Sequence, residues 1–288
     1  MKPQFENKAM SSLLLYVDNK ILDKGEAYTN VTSGTLYPIS NQYNGIHSYA
    51  TPFKQLVSDT SVTGANVLSG VYQNGLFYNT GTGGAKLHSI NHHEGQFYFT
   101  EDKSSYSMKA NFAVKDYNVY LTSKSEEELL FETKFHQKPR VTETPTGLET
   151  HQQTYPAIFL KNFGGKNEPF AFGGLDNTVI DVRAVILGES AFSVDAVCSI
   201  LKDSVRTTVP VVEQANIPLN AIGGSASGYN YTDLCKTTTN SLYIEKVTIS
   251  KNVGPSYADN VNPGIYSAFA DFELQIPRYP RNCPEASK

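Results

Sequence analysis

One segment constrains this chain more than any other: a helical period over 190–206, inside a sequence that otherwise reads as strands and turns. Val194, Val197, Cys198, Leu201 and Val205 fall at i, i+3, i+4, i+7 and i+11, which puts all five on one face. Asp195, Ser199, Lys202, Asp203 and Arg206 occupy the other, with the acid near the start and Lys202 and Arg206 near the end, as the helix dipole favours. Just upstream, Ile180, Val182, Ala184 and Ile186 alternate with Val179, Asp181, Arg183 and Val185, the period-two pattern of a strand. The expectation is a single amphipathic helix laid on a sheet at the centre of the C-terminal half.

The background supports that contrast. Only 18% of residues are charged, while 18 Tyr and 15 Phe accompany abundant Gly, Asn, Ser and Thr, a mixture that favours strands and turns over helices. At 288 residues there is room for one large domain or two ordinary ones. A net charge of -4 leaves no global basic footprint for gripping nucleic acid through its phosphates. No apolar run approaches a membrane span, and Leu13-Leu14-Leu15 is too short for a signal-peptide core and is followed by Asp18 and Lys20, so a soluble chain made in a cytoplasm is expected. Cys198, Cys235 and Cys283 have no CxxC spacing, which argues against a disulfide framework and a zinc site; Cys198 reads as a buried small hydrophobe on the helix.

Along the chain, the stretch 13–22 reads either as a hairpin or as a short helix, which periodicity does not separate. Residues 31–64 are turn-rich, with Pro38 and Pro52 blunting any central-strand role, and are expected to be an extended or loop-like arm. The strand signal from Val67 to Tyr72 leads to Asn74-Gly75, a strong hairpin dipeptide, then to Leu76-Phe77-Tyr78. With a turn at Glu94-Gly95, a strand at Phe97-Tyr98-Phe99 and another over 112–121, residues 67–121 read as a small antiparallel β-domain. Tyr117, Val119 and Leu121 share one face of that last strand. Ser125-Glu126-Glu127-Glu128 has capping-box spacing for a short helix, although 129–135 reads equally as a strand. The Pro- and Gly-containing stretch from Lys138 onward is the best linker. Beyond it come a strand at 157–160, a Gly-containing turn over 162–169, one or two strands over 170–187, and a long loop over 217–231. A strand over 242–250 slips near Lys246, as at a bulge, and the final strand alternates cleanly from Tyr266 to Ile276.

No motif with a catalytic signature emerges. Asn91-His92-His93-Glu94 carries metal-ligand types, but neighbours on a turn point apart and the spacing matches neither HExxH nor a finger, so it reads as a polar hairpin turn. Gly81-Thr82-Gly83-Gly84 and the glycine-rich 223–228 lack the GxxxxGK[ST] pattern and a strand-to-helix context, and read as flexible loops. Glu126-Glu127-Glu128 reads as a solvated helix start, and Ser, His and Asp occur without a GxSxG elbow. Aromatic residues beside basic ones over 155–166 and at Arg278-Tyr279-Pro280-Arg281 form patches suited to a nucleic acid or a partner subunit, or to ordinary snorkelling at a sheet edge.

Several strings resemble a family of virion structural proteins from contractile-tailed phages of marine bacteria. They are Ile21-Leu22-Asp23-Lys24-Gly25-Glu26-Ala27-Tyr28, Thr51-Pro52-Phe53-Lys54-Gln55, Asp116-Tyr117-Asn118-Val119-Tyr120-Leu121-Thr122, Tyr155-Pro156-Ala157-Ile158-Phe159-Leu160-Lys161-Asn162, Asn167-Glu168-Pro169-Phe170-Ala171-Phe172-Gly173-Gly174, and the stretch 219–231. The order strand, strand, helix, strand, strand in the C-terminal half is similar to the small α/β domain of tail-terminator proteins, by fold analogy. The resemblance implies a non-enzymatic neck protein, a tail terminator or head-to-tail connector, that forms a homo-oligomeric ring, commonly a hexamer. Its partners would be other neck, tail tube and sheath proteins, with genomic DNA passing through without sequence-specific binding and no membrane involved.

The expected fold is therefore α+β and β-rich. It comprises a β-rich N-terminal domain with an extended arm over 1–137, a linker over 138–154, and a terminator-like sheet with its amphipathic helix over 155–288. Candidate interface residues are Lys161, Asn162, Lys166, Arg183, Lys202, Arg206, Arg278 and Tyr279, with no cofactor, metal or catalytic residue assigned. The alternatives are a receptor- or carbohydrate-binding virion protein built on the Tyr-rich β-domain, a baseplate or tail-completion component, and an enzyme such as a glycosidase. The expected place is the virion neck, after assembly in the host cytoplasm.

Overall fold

The computed structural model describes residues 4–40, 43–81, 84–130, 154–171, 174–219, 228–251 and 265–279. Its first element resolves an ambiguity of the sequence in favour of a helix. α1 covers Phe5–Gly25, with Asn7 Oδ1 accepting the Gln4 N–H at 2.9 Å and Glu26 closing the helix in the left-handed region. The apolar run 13–17 goes all the way round α1, because α1 is buried on nearly every side; a helix between two layers needs no polar face.

Two four-stranded antiparallel sheets follow. The first has the order β1 (Tyr28–Thr35), β8 (Met108–Lys115), β4 (Gly70–Gln73), β5 (Leu76–Asn79). The second runs β2 (Tyr37–Pro38), β3 (His47–Ala50), β7 (Gln96–Phe99), β6 (Leu87–Asn91). Leu56, Val71, Leu87, Phe97, Phe99 and Phe112 form the apolar layer between them. The β4–β5 hairpin turns on Asn74 and Gly75 with φ of 50° and 85°, the two positive values that this tight turn demands. The expected extended arm over 31–64 is corrected here: it supplies β1, β2 and β3 and thus belongs to both sheets. Pro38 is tolerated because β2 is a two-residue edge strand, where a missing donor faces no neighbour.

The segment 112–121 is likewise two strands, not one. β8 ends at Lys115, the chain bends through Asp116 and Tyr117, and β9 (Asn118–Leu121) enters a different sheet. That six-stranded mixed sheet has the order β12 (Thr208–Pro210), β13 (Ser241–Lys251), β14 (Tyr266–Arg278), β11 (Leu175–Gly188), β10 (Ala157–Ala171), β9. Only the β9–β10 pair is parallel. The expected turn over 162–169 is corrected: those residues continue β10, paired with β11 from Ala157 to Ala171 with register shifts between Asn162 and Gly164 and between Pro169 and Ala171, and Gly164 has a φ of 123°. Glycine there allows a backbone that an L side chain would strain, so the strand bends without ending.

α2 (Ala191–Lys202) is the helix of the opening argument, corrected at its end: it stops at Lys202, short of the expected Arg206, and Val205 lies beyond it, exposed. Ser190 caps it by accepting the Ser193 N–H at 3.1 Å, and Val194, Val197, Cys198 and Leu201 are buried. They and α1 cover one face of the large sheet, against Leu160, Val182, Ile186, Ala270 and Phe272. The slip near Lys246 is a register shift between Ile244 and Lys246. The loop expected over 217–231 ends in a short helix, α3 (Tyr231–Lys236), capped by Asn230. Tyr229 N–H donates to Ser58 O at 2.9 Å, which ties the approach to α3 to the N-terminal half. Ser125 and Glu128 make both hydrogen bonds of a capping box, so a helical turn starts there; the reading of 129–135 beyond residue 130, the linker, and Cys283 lie outside the described residues.

The chain is thus α+β and β-rich, with α1 packed on the large sheet and also touching the smaller sheets. Leu22 meets Val57, Val62 and Ala113 on that second side. Among the described residues no helix is long and apolar enough to cross a membrane.

Candidate functional site

The side of the large sheet turned away from α1 and α2 is apolar and buried around Phe159, Val185 and Leu187, and charged beyond them. Strand alternation puts Asp181 and Arg183 of β11 on it, and the register places Glu273 opposite Asp181 and Asp271 opposite Arg183. β10 adds Lys161 opposite Arg183, and β13 adds Lys246 and Thr248. A groove of about 240 Å³ runs over this face between Phe163 and Lys246.

Arg183 is its centre. Nε and Nη2 donate to the two carboxylate oxygens of Asp271 at 2.6 and 3.0 Å, and Nη1 donates to Glu126 Oε1 at 3.2 Å. The guanidinium also lies over the rings of Phe163 at 4.8 Å and Phe269 at 5.3 Å. Hydrogen bonding to Asp271 raises the already high pKa of Arg183, against a smaller effect of burial. A planar fork between two carboxylates and two rings is a fixed device, which locks the helical turn at Glu126 onto the sheet. Its chemistry is recognition and positioning: Asp271 is occupied by the fork, and the groove is open to solvent.

The eight residues singled out from the sequence divide into three places. Lys161, Lys166 and Arg183 lie on this charged face, Lys161 over Phe163 and Lys166 paired with Glu168 at 2.7 Å. Asn162 and Arg278 face the other way, toward α1: Asn162 Nδ2 donates to Glu6 at 3.2 Å, and Arg278 sits 4.2 Å from the Phe5 ring while donating to Thr178. Tyr279 follows it, exposed. Lys202 and Arg206 are exposed at the far end of α2, where Arg206 adopts a φ of 61° and its N–H donates to Ile244 O. Sequence reasoning missed Phe163, Glu126 and Asp271 as partners of Arg183; their polar or aromatic type was visible, but the register that joins them is long-range.

A second polar cluster sits between α1 and the smaller sheets. The segment 92–94 is the expected polar turn between β6 and β7, and His92, His93 and Glu94 are all buried in it. Glu94 pairs with Lys54 at 2.6 Å with both side chains buried, and the Gln55 amide lies 2.9 Å from His93 Nδ1. Lys115 Nζ reaches both oxygens of Asp18 at 2.7 Å. Burial lowers the His92 pKa to about 4, with the nearby Lys115 charge acting in the same sense and the Leu68 backbone opposing. Among the described residues no group of three or more His, Cys, Asp or Glu is arranged to hold a metal ion.

No family model matches the chain, and no curated protein is significantly similar to it.

Proposed function

We propose that this chain is a non-enzymatic structural protein of a contractile-tailed phage virion, a tail terminator or head-to-tail connector of the neck that assembles as a ring. The observation that supports the reading is the order β10, β11, α2, then, after the short β12 and α3, β13 and β14, in which two long antiparallel strand pairs of one sheet are separated by α2. That is the order the resemblance implies for ring-forming terminators. α1 and α2 cover one face of the sheet and the helical turn at Glu126 covers part of the other, which leaves the charged groove beside Arg183 as a surface for association. A net charge of -4 suits a ring through which DNA slides, because a strongly basic channel would hold the phosphates.

On this reading the partners are further copies of the chain, commonly six, together with tail tube, sheath and other neck proteins. The test is an averaged image of the whole particle with the subunit located by label. Rings at the head-tail junction are expected; density at the distal end of the tail would move the protein to a baseplate role and defeat the proposal.

A further inference from the structure

Ser58 stands where the N-terminal half meets the approach to α3, and it is fully buried. Its backbone carbonyl accepts the Tyr229 N–H at 2.9 Å, yet its Oγ makes no hydrogen bond to any other group of the protein. A buried hydroxyl without a hydrogen bond is costly, and the ordinary remedy in a native fold is an ordered water. Ser58 also lines a small cavity, to which Asp18, Gln55, His93, Lys115 and Tyr229 bring further polar groups. Apart from Leu219 and Tyr229, which are partly buried, every residue of the wall is buried.

Size and chemistry together select the occupant. The cavity measures about 20 Å³. A single water needs at least about 10–15 Å³, so the space takes one water and no larger solute. A metal ion does not suit the wall: Asp18 is its carboxylate, and Lys115 Nζ holds both oxygens at 2.7 Å and repels further positive charge. Among the described residues no group of three or more His, Cys, Asp or Glu is arranged to hold a metal. A water molecule both donates and accepts, which matches a wall made of hydroxyl, amide, imidazole, phenol and an ion pair. We propose that this cavity binds one internal water, with Ser58 Oγ as one partner and the polar groups around it supplying the others.

The place of this water gives it a role. Asp18 comes from α1, Lys115 from the end of β8, His93 from the turn between β6 and β7, and Tyr229 from the approach to α3. Gln55 and Ser58 belong to the segment between β3 and β4, which also pairs its backbone with that turn through Leu56 N–H and His92 O. One water bonded among these groups ties the C-terminal approach to α3 onto the smaller sheets, and satisfies a hydroxyl that the chain itself leaves without a partner. The proposal concerns the interior of one subunit and stands apart from the ring reading.

A high-resolution crystal structure of the full-length wild-type chain tests this directly. The expected result is the density of one water within hydrogen-bonding distance of Ser58 Oγ, about 2.5–3.0 Å, and of at least one more polar group of the wall. A cavity without water density would overturn the proposal, and so would a Ser58 hydroxyl turned onto a protein acceptor. Magnetic relaxation dispersion of the solvent gives a second reading in solution, because it counts internal waters that exchange slowly. Ser58→Val replaces the hydroxyl by methyl groups that reach into the cavity, so the wild type should hold one slowly exchanging water more than the variant. Circular dichroism checks that the variant folds, and equal counts in two folded proteins would overturn the proposal. Should Ser58→Val fail to fold, the wild-type crystal structure decides the matter alone.

Discussion

His92 is a residue whose protonation folding itself forbids. Its ring is buried and its pKa stands at about 4, against an ordinary value near 6.5. Between those values the unfolded chain binds the proton and the folded chain does not, so stability rises with pH across that window. Below pH 4 both states are protonated and the dependence ends. At pH 5 the loss relative to pH 7 should be about 2 kcal/mol from this one ring. Urea unfolding of wild type and His92→Gln at both pH values checks this: the wild type should lose about 2 kcal/mol more than the variant on acidification, and equal losses would refute it. Sequence reading recognised the turn at 92–94 but not its burial. Polar residues at a hairpin usually face water, and what turns these inward is α1 and the Gly228 region packing over them, a long-range event without a local signal.

Elements were legible to the degree that their burial was one-sided. α2 was legible because solvent lies on one side of it and a sheet on the other, so its sequence carries a period. α1 was not, because both of its sides are covered, and Asp18 in its middle looked like a turn residue when it is one half of a buried pair. β10 was misread beyond residue 161 for the opposite reason, since exposure on both sides and two glycines erase the alternation. The Asp18–Lys115 pair fixes the rotation of α1 against β8. Lys115→Met leaves the Asp18 carboxylate buried without its cation and should cost about 3–5 kcal/mol. Asp18→Leu together with Lys115→Met should recover most of that loss, because an apolar pair of similar volume needs no compensation. Denaturant midpoints of the two variants decide the matter; a double variant as unstable as Lys115→Met would show that the pair has net stabilising value of its own.

The whole molecule is bound together by elements that cross its sequence halves. α1 and β9 come from the first 121 residues, yet α1 buries Leu13, Leu14 and Val17 in the core of the large sheet and β9 pairs with β10. Fold class and most strands could be read from local pattern, whereas this interlock could not, because nothing in the period of α1 states which sheet it covers. The interlock decides how the chain should respond to being cut between the expected domains. A protease site introduced in the linker expected over 138–154 should give two fragments that co-elute on size exclusion and melt in one transition, since separating them would expose α1 and the sheet face beneath it. Residues 155–288 expressed alone lack both α1 and β9, leaving Leu160, Val182, Ile186 and Phe272 partly uncovered. At about 25 cal/mol per Å² of apolar surface returned to water, the loss of a whole packed helix exceeds the margin of an ordinary domain. That fragment should therefore be insoluble or bind a hydrophobic dye, and should recover native circular dichroism when residues 1–137 are supplied in trans. A fragment that folds cooperatively by itself would mean that α1 is a passenger on the sheet and that the two halves are autonomous.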